Sequence, residues 1–142
     1  MPRVLILSAE FYPHISALLK AGALAALELA GAETEEVQVP GAFEIPAAIA
    51  MAHASGRYDG YVALGCVIRG ETTHYDYVCG ESARGINELA IKHRLAIGYG
   101  ILTVEHEAQA LHRADPAKGN KGAAAVEACL AMLKLKTHWG VA

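Results

Sequence analysis

Residues 60–82 read GYVALGCVIRGETTHYDYVCGES, and the change of character inside this stretch decides the fold. Gly60 to Ile68 is almost continuously apolar, without the alternation of a half-buried strand, so it reads as a strand covered on both faces, the habit of parallel sheets. Arg69 to His74 is abruptly polar. From Tyr75 to His93 the residues Val78, Cys79, Ile86, Leu89 and Ala90 recur at helical spacing, so a buried strand gives way through a short polar loop to a helix.

The same alternation extends in both directions. Arg3 to Ser8 is a leucine-rich and β-branched run, and after Pro13 a helical pattern continues until Gly31 stops it. Thr34 to Val39 is a second strand, ended by Pro40 and Gly41, and Pro46 sits where the first turn of a helix reaching His53 accepts it. Leu95 to Thr103 is the fourth strand, Glu105 to Arg113 a short helix, Asp115 to Gly119 a turn, and Gly122 to Lys136 the last helix. Strands that are nearly all apolar and alternate with helices predict an α/β fold whose parallel sheet is covered on both sides. In such sheets ligands bind beyond the carboxyl ends of the strands. Polar clusters stand at all four of those ends: Glu10 to His14, Pro40 to Pro46, Arg69 to His74 and Thr103 to His106.

A chain of 142 residues suits one hydrophobic core, so residues 1–142 are expected to form a single domain. Its net charge of −3, with no block of lysine and arginine, lacks the footprint of a nucleic-acid binder. No apolar run approaches the ~20 residues of a membrane span, and the start MPRVLILSAEF is too short in apolar residues for a leader, so a cytoplasmic protein is expected. The three cysteines, Cys66, Cys79 and Cys129, are odd in number and set in apolar surroundings, which fits reduced core thiols. Neither they nor the seven histidines show CxxC or HExxH spacing, so no metal site is expected.

Several side chains carry possible chemistry. Gly70, Glu71, Thr72 and Thr73 lie where a strand meets a helix, a place that either holds an anion through backbone amides and hydroxyls or simply caps the helix. Arg113, Lys118 and Lys121, in RADPAKGNKG, are either solvated or meet an anion at the sheet edge or in a neighbouring subunit. His74 follows the threonines, and an imidazole beside a phosphate site is a natural proton carrier. Glu44 in VPGAFEIP either favours the start of the helix at Pro46 or accepts hydrogen bonds from ligand hydroxyls, with Phe43 as an apolar wall. Phe11 is either core or a platform for a flat ring.

Taken together, VPGAFEIP, ALGCVIRGETTHYDYV and YGILTVEHEAQALHRADPAKGNKG resemble the 6,7-dimethyl-8-ribityllumazine synthases over nearly the whole chain. The resemblance implies a flavodoxin-like three-layer α/β/α sandwich with a four-stranded parallel sheet. It implies condensation of 5-amino-6-(D-ribitylamino)uracil with 3,4-dihydroxy-2-butanone 4-phosphate, the penultimate step of riboflavin synthesis, without metal or organic cofactor. It assigns Phe11 to stacking on the pyrimidine, Ala42, Phe43 and Glu44 to the ribityl chain, and Cys66, Val67 and Ile68 to main-chain contacts with the pyrimidine. Glu71 and Thr72 match the phosphate loop and His74 the proton donor, while Tyr99, Arg113 and Lys121 match residues completing the site, some from a neighbouring subunit, with Arg113 on the phosphate.

The chain departs from the family where Glu10 and Tyr12 flank Phe11, at Tyr99, and at Asp115 and Pro116 in the last turn. The alternative reading is a non-catalytic flavin-binding or lumazine-binding protein, or a shell protein, of the same fold. A flavodoxin-type electron carrier is disfavoured, because SAEFYPHIS after strand one is not a phosphate loop rich in glycine and threonine. Sites shared between neighbours require at least a ring, and the resemblance implies that this ring is a homopentamer. The start of the chain at strand one and the rigid Pro116 argue against closure into a sixty-subunit shell.

Overall fold

The computed structural model describes residues 1–142. Strands β1 (Arg3–Ala9), β2 (Glu33–Val39), β3 (Gly60–Ile68) and β4 (Ala96–Val104) alternate with helices α1 (Pro13–Leu29), α2 (Ile45–Ala54), α3 (His74–His93), α4 (Glu107–Ala114) and α5 (Lys121–His138), and a single 3-10 turn at Ala42–Glu44 precedes α2. All strand pairs are parallel, in the order β2-β1-β3-β4. This is the flavodoxin-like sandwich that the sequence motifs imply.

Because successive strand residues face opposite ways, β1 and β3 feed two separate cores. Val4, Ile6, Val62 and Leu64 pack with Ile15, Leu19, Leu27 and Val126 on the side covered by α1, α4 and α5. Leu5, Leu7, Tyr61 and Ala63 pack with Ile45, Ile49, Val78 and Ile86 under α2 and α3. Burial of both strand faces is what makes the runs continuously apolar. Close approach completes the first layer. A methyl group placed on Gly98 would overlap the backbone carbonyl of Ala125 in α5, and one on Gly122 would overlap that of Leu19 in α1.

The rule of buried strands fails at β2. Residues Glu33 to Gln38 are all exposed and only Val39 is half-buried; β2 is an edge strand, and unlike β4 at the other edge, whose Ala96 and Leu102 share a core with Val126 of α5, it turns only Val39 to a core. Ion pairs take the place of apolar cover: Arg3 to Glu33 at 3.2 Å, Arg57 to Glu35 at 2.9 Å and Lys20 to Glu36 at 3.9 Å. The helix expected from Glu105 begins at Glu107, because His106 is extended and serves as its N-cap. All three cysteines are free, Cys66 and Cys129 buried and Cys79 half-buried. No helix is long and apolar enough to cross a membrane.

Candidate active site

Strand order turns at β1, whose successor β2 lies on one side and β3 on the other, and open α/β sheets form a crevice at that switch point. A cleft of about 610 Å³ occupies it. Three chain segments meet there. Phe11 and Tyr12 come from the end of β1, Pro40 to Glu44 from the end of β2, and Cys66 to Ile68 with Gly70, Thr72, His74, Tyr75 and Val78 from the end of β3 and the start of α3. A larger cleft of about 1270 Å³ opens at the other end of the sheet, among the chain termini and the last turns of α5. It lies at the amino ends of the strands and contains none of the candidate residues, so we place the site in the smaller one.

Exposure resolves what the sequence left open about the rings. Phe11 is 70 % and Phe43 54 % exposed, so both stand at the cleft as free apolar surfaces rather than as core. Phe11 is steadied by an edge-on contact with Tyr12, centroids 5.1 Å apart. Ala42 is buried at the base of the 3-10 turn. Glu44 occupies the N-cap of α2, where its charge favours the helix start, but it makes no side-chain capping bond, so its carboxylate oxygens are not spent on the helix. Its carboxylate leans over Gly41, where an added methyl would lie 3.2 Å from Oε1.

Cys66 lines the cleft, and burial pushes its thiol up to about 11, so at neutral pH it is a protonated wall and not a nucleophile. Beyond it, Thr73 is the N-cap of α3 without a side-chain capping bond, and the His74 amide donates instead to Thr72 Oγ1 at 3.3 Å. The hydroxyl thus shapes the turn that carries the histidine. His74 itself is exposed and lines the cleft. Tyr75 lines it beside His74, and burial raises its phenol above the ordinary value.

Four candidates do not line this cleft. Glu71 lies in the loop but not on the cleft wall, and Tyr99, midway along β4, shares a hydrogen bond of 3.2 Å between its hydroxyl and Ser82 Oγ. Arg113 is in the last turn of α4, where it donates to the Gln109 carbonyl at 3.2 Å, and Lys121 opens α5. The polar cluster after β4 also stays outside. No lysine or arginine lines the cleft at all. Arg69, between Ile68 and Gly70 of the cleft wall, is committed to Glu105 at 2.7 Å, and Lys20 of α1 to Glu10 at 2.9 Å.

Tyr12, Tyr75 and Val78 also line the cleft and went unremarked as site residues in the sequence. Tyr12 beside Phe11, Tyr75 beside His74 and Val78 one helical turn on from it are the available signal.

The 6,7-dimethyl-8-ribityllumazine synthase family model matches residues 1–137. The chain belongs to this family. Among its relatives, the 6,7-dimethyl-8-ribityllumazine synthase of Erythrobacter litoralis is 56 % identical over 140 residues, covering 99 % of both chains. That of Novosphingobium aromaticivorans is 58 % identical over 139 residues, covering 98 % of this chain and 99 % of its own. That of Paramagnetospirillum magneticum is 47 % identical over 148 aligned positions, 99 % of each. The family match thus extends across every element that forms the cleft of this lumazine synthase family member.

Proposed function

We propose that this chain condenses 5-amino-6-(D-ribitylamino)uracil with 3,4-dihydroxy-2-butanone 4-phosphate to give 6,7-dimethyl-8-ribityllumazine, phosphate and water, in riboflavin synthesis. The observation that carries this reading is the meeting, in one cleft, of Phe11, Phe43, Glu44, Thr72 and His74 from three separate chain segments of a family member. Phe11 stacks on the pyrimidine, and main-chain groups of Cys66, Val67 and Ile68 read its polar edge. Ala42, Phe43 and Glu44 hold the ribityl chain, the carboxylate accepting from its hydroxyls. Backbone amides at Glu71 and Thr72 hold the phosphate.

The chemistry then needs little beyond alignment and proton movement. The uracil 5-amine attacks the ketone and water leaves as the imine forms. Phosphate departs by elimination, giving an enol that becomes the second carbonyl, and the ribitylamino nitrogen closes the ring on it with loss of a second water. His74 carries protons for these steps, and holding two reactive molecules together supplies much of the acceleration.

A dianionic phosphate calls for a cation, and the cleft has none of its own. This supports a site completed across subunits by Tyr99, Arg113 and Lys121, some of them from a neighbour, with Arg113 on the phosphate, in a homopentamer of single-domain chains. Incubation of the purified protein with both substrates should yield lumazine and phosphate together. Lumazine binding without turnover would overturn the catalytic reading in favour of a non-catalytic binder.

A further inference from the structure

Arg69 opens the loop that leads to His74, and its guanidinium is held from three sides. Nε donates to Glu105 Oε2 at 2.7 Å, a terminal nitrogen lies 3.7 Å from Asp76 Oδ1, and the carbon at its centre lies 4.3 Å from the ring centroid of Tyr75. Its backbone amide donates to the Val104 carbonyl at 2.9 Å, carrying the β3–β4 ladder one residue further. Glu105 is anchored in turn, its amide donating to the Gln109 side chain of α4 at 2.7 Å. A continuous chain of contacts therefore runs from α4 through Glu105 and Arg69 to the first turn of α3.

Between those anchors the loop has little else to hold it. Gly70 to His74 are exposed, and a methyl on Gly70 would meet nothing within 4 Å. We propose that Arg69, pinned by Glu105, is a positioning residue that fixes the Gly70–His74 loop for anion binding and is not itself an anion ligand. A guanidinium already facing two carboxylates and an aromatic ring has its charge compensated and its fork engaged, so turning to a phosphate would first break a charge-assisted hydrogen bond. The arrangement also explains the polar cluster after β4. Glu105 lies outside the cleft because it works on the loop from behind.

The kinetic part of the test rests on the proposed condensation, whereas amide hydrogen exchange does not. Arg69→Ala and Glu105→Ala should each speed exchange at the His74, Asp76 and Tyr77 amides, whose acceptors Thr72 and Thr73 lie in the loop, by roughly twofold to fivefold, the range for an exposed ion pair, and leave β1 and β3 unchanged. The double variant should be no faster than the faster single one. Both single variants should raise KM for the butanone phosphate and lower kcat, and Arg69→Lys, which keeps the charge but loses the flat face against Tyr75, should fall between Arg69→Ala and wild type. Unchanged loop exchange in both single variants would overturn the clamp. So would a raised KM for the phosphate substrate in Arg69→Ala beside an unchanged or lowered one in Glu105→Ala, since Arg69 would then bind phosphate directly. A wild-type protein without turnover would overturn the functional reading alone, and the exchange result would still decide the clamp.

Discussion

At the scale of single residues, the site depends on what each side chain leaves unpaired. His74 makes no side-chain hydrogen bond within the chain and stands at the cleft wall, as the proposed proton-carrying role requires. His74→Ala should slow turnover about 10²-fold, the low end for a general acid/base, with proximity supplying the rest. Steady-state rates at saturating substrate check this, and wild-type rates would remove the histidine from the chemistry. Cys129, fully buried between α5 and the sheet, has a thiol pushed by burial from its ordinary 9.0 up to about 11. The unfolded chain therefore loses this proton first as pH rises, and stability from this group is whole below pH 9 and lost between about 9 and 11. Urea midpoints should fall across that window, and fall less in Cys129→Ala, which starts less stable because of its cavity. The roles of His74 and Glu44 were suggested by residue type and neighbours, but the exposure of Phe11 was not. Whether a ring at a strand end is core or platform depends on which distant segment packs over it, and here none does.

At the scale of elements, the central strands and the helices were legible because β1 and β3 are buried on both faces and a run such as VALGCVI has few other readings. β2 is a strand whose place at the edge local composition did not reveal. Its glutamates are tolerated because arginines and a lysine from β1, α1 and the turn before β3 reach them. The 3-10 turn over Ala42–Glu44 is too short to carry a periodic pattern. Two glycines separate the two reasons an element needs that residue. Gly31 ends α1 with φ at +72° and the Ala32 amide reaching back to Leu27, while its missing methyl would touch nothing. Gly31→Ala should cost about 1 kcal/mol, the strain of a left-handed alanine. Gly98→Ala forces a methyl into the Ala125 carbonyl, which no rotamer change relieves, and should cost about 3 kcal/mol or more. Chemical denaturation of the pair checks the order, and equal losses would mean that α5 moves off the sheet easily.

At the scale of the whole molecule, Met51, Tyr77 and Ile91 on α2 and α3 are each more than two-thirds exposed, apolar surface suited to burial between copies. Light scattering coupled to size exclusion should give five times the 15.0 kDa chain mass if the proposed homopentamer closes its ring by one repeated heterologous contact. A monomer would sink the shared site, and a mass near sixty chains would sink the single ring. Mixing Arg113→Ala chains with His74→Ala chains should restore part of the activity, since some interfaces then pair an intact arginine with an intact histidine; no recovery would place each site within one chain. The cleft that lacks its own cation also bears on kinetics in dilute solution. Rate would there climb faster than in proportion to the number of chains, and a stock diluted far enough to separate its subunits would, on reconcentration, start with a lag while rings re-form.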